Sequence, residues 1–187
     1  MDRATLDLLD AELNRAFEEN LAKDYLDRVK LLTNAIRIDP WWSEKKYDEL
    51  QKYLPFLNWK TLKYSPHNDI DAKINSDSIG VYFFYVMPEH TILDKPQYVF
   101  YVGISSKRPL KDRLKDYYNI NNIKKRSNIH NFLAWHYPYV YIAFSLFDSE
   151  KGDIEMLEKI LIEYFQPFIN MKDFQPETME AKKAWVM

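Results

Sequence analysis

The sequence predicts an α+β fold, in which a small antiparallel sheet of about three strands is flanked by helices and preceded by an N-terminal helical extension. Two observations lead to this prediction. Aromatic and β-branched residues concentrate in three short segments, GVYFFYVM from residue 80, QYVFYVGI from residue 97 and YVYIAFSLF from residue 139. Around these segments, apolar residues recur at intervals of three and four, which is typical of amphipathic helices.

The N-terminal part of the chain predicts helices. Apolar residues recur every three or four positions through residues 1–38, and Asp39-Pro40 ends the pattern. A shorter helix follows, and residues 55–78 are polar and rich in turn-forming residues. The first pattern exceeds the roughly 25 residues of ordinary globular helices. We therefore expect residues 1–38 either to break near Asn20 into a hairpin or to form a homodimer.

Three helical segments surround the third strand. Pro109 opens the first, residues 123–136 form the second, and Asp148 or Ser149 begins the third, which contains DIEMLEKILIEYF. Glu158 interrupts the apolar face of this last helix, and a buried carboxylate requires a partner. That partner is either a salt bridge to Arg113 or a lysine, or a divalent ion such as Mg²⁺.

Length and composition exclude several classes of protein. A chain of 187 residues with 47% hydrophobic residues is large enough to bury a core and is unlike a disordered chain. It contains no cysteine, which excludes disulfides, thiolate-bound zinc and a cysteine nucleophile, so any metal is expected to be a hard ion on carboxylate. No apolar run approaches the roughly 18 residues of a membrane span, and the start has no signal pattern. A cytoplasmic protein without membrane contact is expected.

Glycine is scarce, with three in the whole chain, where average usage of about 7% would give roughly 13. Gly80 and Gly103 lie at the edges of the first two strand segments. Glycine at such a place usually marks a bulge or a close approach by another backbone or a ligand. These two positions therefore indicate where close packing is required.

Basic residues cluster after the second strand segment. Residues 101–128 hold eight Lys and Arg against two Asp, in a chain of formal net charge -2. The cluster is either a solvated helix face or a patch that follows nucleic-acid phosphates beside aromatic side chains. The predicted nucleic-acid contacts are Lys107, Arg108, Lys111, Lys115, Lys124, Lys125 and Arg126.

Five short motifs follow one another along this part of the chain. Two lie at the ends of neighbouring strands, one opens the next helix, and two lie on and after the last strong helix. In chain order they are Gly80-Val81-Tyr82, Tyr101-Val102-Gly103, an L-x-x-R pattern ending at Arg113 with Tyr117 four residues on, an E-x-x-L-I pattern from Glu158, and a P-x-x-N pattern ending at Asn170. With these motifs, residues 79–170 resemble the GIY-YIG nucleases.

The resemblance implies a divalent-metal-dependent endonuclease that hydrolyses DNA phosphodiester bonds, with Mg²⁺ or Mn²⁺ as cofactor and double-stranded DNA as partner. The implied catalytic residues are Tyr82, Tyr101, Arg113 and Glu158, with Glu158 as the metal ligand. The implied supporting residues are Gly80, Gly103, Tyr117 and Asn170. Outside the nuclease-like residues 79–170, we expect residues 1–66 to form a helical N-terminal region and residues 171–187 to form a C-terminal tail or helix.

Two other functions stay open at this point. A catalytically inactive module would keep the fold and hold nucleic acid without cutting it, since a fold does not determine a function. A protein-interaction domain would use the same aromatic segments as core. The sequence also departs from the family pattern at Ile104, where many members carry a lysine, and in the long loop between the two tyrosine motifs.

Tyr82 is predicted to activate the attacking water, either as tyrosinate or through Tyr101 as a hydrogen-bonded partner. An ordinary phenol has a pKa of about 10, which leaves little tyrosinate at neutral pH. Arg113 or a bound divalent ion would have to lower the pKa of Tyr82, because a nearby positive charge favours the ionised form.

Overall fold

A four-stranded antiparallel sheet runs through the structure, with its strands in the order β1-β4-β2-β3. This is a computed structural model that describes residues 3–21, 44–65, 70–74, 77–87 and 97–184. The strands are β1 (Lys60–Lys63), β2 (Gly80–Val86), β3 (Tyr98–Ser105) and β4 (Val140–Leu146). The three predicted strands are β2, β3 and β4, and the predicted α+β class is confirmed.

Helices cover both faces of the sheet. They are α1 (Arg3–Leu21), α2 (Glu44–Gln51), α3 (Ile70–Lys73), α4 (Leu110–Lys115), α5 (Ile120–Lys124), α6 (Ser127–His136), α7 (Ile154–Phe165) and α8 (Pro176–Ala184). Short 3-10 turns occupy Leu54–Phe56, Asp116–Tyr118, Ser149–Lys151 and Phe168–Asp173. In the described part of the chain, no helix is long and apolar enough to cross a membrane.

The alternation of side chains along β2 separates two cores. Tyr82 and Phe84 point to one face, where they pack with residues of α1, α4, α5 and α6. Val81 points to the other face and packs with residues of α2 and α7. Successive side chains of a strand point to opposite faces, so the two faces of one strand serve two sets of helices. The aromatic run in β2 is buried on both sides for this reason.

A bulge in β3 brings two consecutive aromatic residues to the same face. Phe84 pairs with Tyr101 while Tyr85 pairs with Val99, so Phe100 is the extra residue. Phe100 stacks on Phe132 of α6 at 4.0 Å between ring centroids. Tyr101 also packs against this core, and its hydroxyphenyl ring is therefore on the Tyr82 side of the sheet.

Strand β1 lies within residues 55–78, where the sequence predicts turns. It pairs with β4, from Lys60 opposite Phe144 to Lys63 opposite Tyr141. Leu62 is its one buried residue, so the strand carries almost no hydrophobic pattern and has the lysines typical of a sheet edge. The predicted sheet of about three strands thus has a fourth, which comes from the region 1–66 predicted as helical.

Helix α1 packs against its own chain. Leu9 and Leu13 are completely buried in the core beneath it. The Tyr137 hydroxyl donates a hydrogen bond to Asp10 Oδ1 at 2.5 Å. The predicted homodimer through residues 1–38 stays a prediction, and residues 22–38 lie outside the described residues.

The helix predicted over residues 123–136 is divided in two. Asn119 caps α5 by accepting hydrogen bonds from the backbone N–H groups of Asn121 and Asn122, so α5 begins before residue 123. Arg126 follows α5 with φ -111° and ψ 63°, which is not helical, and α6 starts at the next residue. This interruption turns the chain at Arg126.

Candidate active site beside strands β2 and β3

Two glycines allow close packing where β2 and β3 meet the next helix. A Cβ atom at Gly80 would lie 2.6 Å from both Leu110 Cδ2 and the Ser145 carbonyl oxygen. A Cβ atom at Gly103 would lie 2.7 Å from the Tyr82 hydroxyl oxygen. Gly103 is also the β3 partner of Tyr82, so the tyrosine side chain lies across the glycine backbone. Neither position has room for a larger residue.

Two buried phenols and two arginines form a continuous hydrogen-bonded chain. The hydroxyl oxygens of Tyr82 and Tyr117, which we call the phenol pair, lie 2.7 Å apart, and both residues are completely buried. Arg113 Nε donates to the Tyr82 hydroxyl oxygen at 3.1 Å. Arg126 Nη1 donates to the Tyr117 hydroxyl oxygen at 2.8 Å. The predicted site residues Tyr82, Arg113 and Tyr117 are therefore in direct contact.

Helix α4 and the turn after it position Arg113 and Tyr117. Leu110 and Leu114 are completely buried and hold α4 against the sheet. Residues four apart share one side of a helical turn, and the Arg113 guanidinium carbon accordingly lies 5.9 Å from the centre of the Tyr117 ring. The backbone of Tyr117 is held as well, because its carbonyl accepts a hydrogen bond from the Tyr64 hydroxyl at 2.7 Å.

The other end of the Arg113 guanidinium faces Asp116. Arg113 Nη1 lies 3.7 Å from Asp116 Oδ2, and the same oxygen forms an ion pair with Arg108. Arg113 is thus held between a phenol and a carboxylate, with its side chain 21% exposed. Its other N–H donors stay available for an anion at the surface, which a guanidinium binds through paired hydrogen bonds.

The residues around Tyr82 do not favour the predicted tyrosinate. Burial, and then the neighbouring Tyr101, raise the pKa of Tyr82 above its usual value of 10, although Arg113 and the hydrogen bond with Tyr117 act in the opposite direction. Burial dominates because it removes the water that would stabilise a phenolate. Tyr82 is accordingly a neutral hydrogen-bonding group near pH 7.

Tyr101 does not have the predicted role of hydrogen-bonded partner to Tyr82. Its ring centroid lies 6.2 Å from that of Tyr82 and 6.4 Å from that of Tyr117. The hydroxyl that bonds to Tyr82 is that of Tyr117. Tyr101 is half-buried and forms one wall of the site through its ring.

Glu158 lies on α7, beside the outer edge of β3. Burial, and then the negative charge of Asp173, raise the pKa of Glu158 above its usual value of 4.5. The positive charge of Arg113 and the backbone N–H of Ile104 act in the opposite direction. Among the described lysines and arginines, none forms an ion pair with Glu158. The salt-bridge alternative for this carboxylate is therefore not observed.

A second acidic residue on α7, which the sequence analysis does not single out, is buried more deeply. Glu163 is 4% exposed. It accepts a hydrogen bond from the Gln175 backbone N–H at 2.6 Å and another from the Thr178 hydroxyl. These contacts place a negative charge at the start of α8, where a helix favours it. Its position within the apolar pattern DIEMLEKILIEYF is the signal that could have found it.

Asn170 pairs with the backbone of the edge strand. Its side-chain oxygen accepts from the Val102 N–H at 2.8 Å, and its side-chain nitrogen donates to the Val102 carbonyl at 3.1 Å and to Asp173 at 3.1 Å. Because β3 is the last strand of the sheet, these backbone groups have no strand partner. The Asn170 side chain takes the place of a neighbouring strand for these groups. Its hydrogen bonds do not include Tyr82, Arg113 or Tyr117.

Replacing Asn170 by alanine is expected to lower the free energy of unfolding by about 1 to 3 kcal/mol, because the two Val102 backbone groups lose buried partners. Urea unfolding measures this change. Asn128→Ala, on the exposed surface of α6, serves as the control and should stay within about 0.5 kcal/mol of the wild type. Equal stability of the two variants would contradict the role of Asn170.

Most of the predicted nucleic-acid contacts are paired with acidic groups. Lys111 binds Asp77 at 2.6 Å, Lys115 binds Asp71 at 2.6 Å, and Lys124 binds Glu12 at 3.1 Å. Three acids from distant parts of the sequence thus offset half of the local positive excess. Lys107 and Lys125 are exposed and form no ion pair within the described ranges. These two lysines are the exposed cations of the cluster that no described carboxylate neutralises.

The acidic groups fit a single hard cation with few protein ligands. Within the described residues, no group of three or more His, Asp or Glu could hold a metal ion. Glu158 nevertheless has no ion-pair partner within the described residues, and the charges of Asp173 and Arg113 both act on its pKa. Mg²⁺ commonly keeps several waters and binds through one or two carboxylates, so these side chains have the donor chemistry that such an ion takes.

Comparisons of the chain with known protein families, with curated proteins and with solved structures find no match. The functional argument therefore depends on the residues and geometry described above.

Proposed function

We propose that the protein is a cytoplasmic, divalent-metal-dependent endonuclease of the GIY-YIG type that hydrolyses phosphodiester bonds in double-stranded DNA. One observation carries this proposal: Arg113 and Tyr117, from one motif, form a hydrogen-bonded chain with Tyr82, from another. Glu158, from a third motif, is electrostatically coupled to the same Arg113. A guanidinium together with a carboxylate that has no ion-pair partner among the described residues suits a reaction in which a phosphate gains negative charge.

Arg113 is the residue that binds the phosphate in this proposal. Its Nε donates a hydrogen bond to the Tyr82 hydroxyl. The guanidinium is therefore already oriented before a phosphate binds and loses little further conformational freedom on binding it. A donor that is already oriented stabilises charge as it develops in the transition state. The phenol pair is neutral and orients Arg113, and it takes no proton from the attacking water.

Glu158 and Asp173 would hold the Mg²⁺ or Mn²⁺ ion. Such an ion supplies Lewis-acid stabilisation of the phosphate charge and lowers the pKa of bound water. Asn170 keeps the edge of β3 in place and donates to Asp173, which sets the position of that second carboxylate. Through Asn170, Asp173 is therefore attached to β3, the strand that also carries Tyr101.

A nucleic-acid-binding module without cleavage is the second candidate function. It is favoured by the burial of both phenols, whose hydroxyl groups bind each other and two arginines. In such a module Arg113 would bind a phosphate and no bond would be broken. The same DNA substrate distinguishes the two functions.

The test is incubation of the purified protein with supercoiled plasmid DNA in the presence of Mg²⁺, Mn²⁺ or a chelator. The nuclease converts the plasmid to nicked or linear forms only when a metal is present. An intact plasmid with both metals, together with a measured affinity for the same DNA, would establish the binding module instead. A labelled RNA duplex in parallel separates DNA from RNA as substrate.

DNA binding is expected to depend mainly on the unpaired lysines. A variant with Lys107→Ala and Lys125→Ala should lower the slope of log affinity against log salt by about 1.8, because each lost phosphate contact removes about 0.9. The matched control is Lys111→Ala with Lys115→Ala, whose lysines are already neutralised by Asp77 and Asp71. Fluorescence anisotropy over a series of KCl concentrations measures both. A larger loss in the control would mean that these ion pairs open on DNA.

A further inference from the structure

Arg126 occupies a place in the hydrogen-bonded chain that matches that of Arg113. Each arginine donates one N–H to one oxygen of the phenol pair, Arg113 to Tyr82 and Arg126 to Tyr117. The Arg126 guanidinium carbon also lies 5.2 Å from the centre of the Tyr117 ring, which is a cation–π contact. Two independent contacts therefore fix Arg126 on Tyr117.

The charge of Arg126 is not used in an ion pair. Arg108 and Arg113 share Asp116, whereas no carboxylate in the described ranges pairs with Arg126. The side chain is half-buried, so its orientation is determined by Tyr117. The exposed Lys125 beside it has neither contact, and this difference separates Arg126 from the rest of the basic cluster.

The chain of contacts gives each member one neighbour to orient. Arg126 holds the Tyr117 hydroxyl, Tyr117 holds the Tyr82 hydroxyl, and Tyr82 accepts from Arg113 Nε. A change at Arg126 therefore reaches Arg113 through two phenols that are completely buried. Such buried side chains have little freedom to move independently.

We propose that Arg126 is a positioning residue of the site: acting through the phenol pair, it sets the orientation of the Arg113 guanidinium toward the scissile phosphate. This inference builds on the proposed nuclease function and assigns Arg126 a role inside the site, where the sequence analysis predicts a phosphate contact on the surface. Loss of the residue leaves Arg113 present and misoriented.

Arg126→Met keeps an unbranched stem over the Tyr117 ring and removes the hydrogen bond. It should lower kcat by about tenfold to a hundredfold, because a displacement of about 1 Å at a reacting centre has such an effect, while the affinity for DNA changes little. Arg126→Lys should restore little of the rate, since an ammonium group lacks the planar geometry of the guanidinium. Asn128→Ala, at an exposed position two residues on, is the neighbouring control and should keep the wild-type kcat.

A double-mutant cycle with Tyr117→Phe separates positioning from direct contact. If Arg126 acts through Tyr117, the double variant loses no more rate than the worse single variant. Additive losses, or a loss of affinity with a salt slope lower by about 0.9, would overturn the proposal in favour of a phosphate contact. A fall in melting temperature with an unchanged kcat would reduce Arg126 to a structural residue.

A readout that needs no cleavage separates this inference from the proposed function. The Arg113 Nε–H signal in a ¹H–¹⁵N spectrum, assigned by its disappearance in Arg113→Lys, should shift in Arg126→Met and in Tyr117→Phe and stay in place in Lys125→Ala. An unshifted signal in Arg126→Met would overturn the positioning role, whether or not the protein cuts DNA. A shifted signal with an intact plasmid would instead support the positioning role and contradict the nuclease.

Discussion

Glu158→Gln is expected to abolish metal-dependent cleavage of DNA and, at neutral pH without metal, to raise the melting temperature. The first effect is expected because the variant loses the charge that would hold the metal; removal of one group that stabilises transition-state charge typically lowers kcat by about 10² to 10³. The second is expected because the half-buried carboxylate has no ion-pair partner among the described cations.

The direction of the stability change follows from the raised pKa of Glu158. Because its pKa is higher in the folded chain than its usual 4.5, the folded state binds the proton more tightly than the unfolded state. The stability that this group contributes is fully present below about 4.5 and is lost as the pH rises through the raised value. At pH 7 the ionised Glu158 is therefore unfavourable in the folded protein, and the neutral glutamine removes this effect.

Plasmid cleavage and thermal unfolding with and without Mg²⁺ measure the two effects. Glu155→Gln, an exposed position on the same helix, is the control and should keep cleavage. Mg²⁺ should raise the melting temperature of the wild type and of Glu155→Gln but not that of Glu158→Gln. Cleavage by Glu158→Gln would place the metal elsewhere, and a sharp loss of stability would restore the salt-bridge interpretation.

Arg113→Ala is expected to lower kcat by about 10² to 10³, which corresponds to about 2.7 to 4 kcal/mol of transition-state stabilisation. The reason is that Arg113 donates to the Tyr82 hydroxyl and keeps other N–H donors for the phosphate. Arg113→Lys should not restore the rate, because a lysine cannot keep both the Tyr82 and the Asp116 contacts in one plane.

Arg108→Ala is a matched control for Arg113. Both arginines contact the same oxygen of Asp116, but Arg113 alone reaches Tyr82. The control variant should keep its kcat and lose at most some DNA affinity. Single-turnover cleavage at saturating protein separates the two parameters, and circular dichroism confirms that each variant is folded. Equal losses from both substitutions would assign the effect to Asp116 and its ion pairs.

The elements with strong local patterns were predictable. The aromatic segments of β2, β3 and β4 and the apolar period of α7 appear at the predicted places, since each buries a face that its own composition defines. Strand β1 was not predictable, because Leu62 is its one buried residue and its pairing depends on β4. Tyr64, directly after β1, donates a hydrogen bond to the Tyr117 carbonyl. This contact was not predictable either, because the two residues are far apart in sequence.

The basic cluster shows a second limit of local patterns. Lys111, Lys115 and Lys124 form a cationic run in sequence, but their partners Asp77, Asp71 and Glu12 come from other segments. Charge interactions act through space and depend on distance, so the charge balance of a surface requires the fold. The accessible part of the cluster is smaller than its sequence indicates.

The sequence by itself determined the α+β class, the antiparallel pairing of β2 with β3, and the set Tyr82, Arg113 and Tyr117 that the fold brings into contact. The first two follow from local periodicity and strand composition, and the third is what the resemblance of the short motifs to the GIY-YIG nucleases implies. The tertiary structure alone decided that Tyr82 is a neutral phenol hydrogen-bonded to Tyr117, and that Arg126 donates a hydrogen bond to Tyr117 from the other side. Ionisation depends on how much water the whole fold removes, and hydrogen-bond partners depend on which distant segments meet.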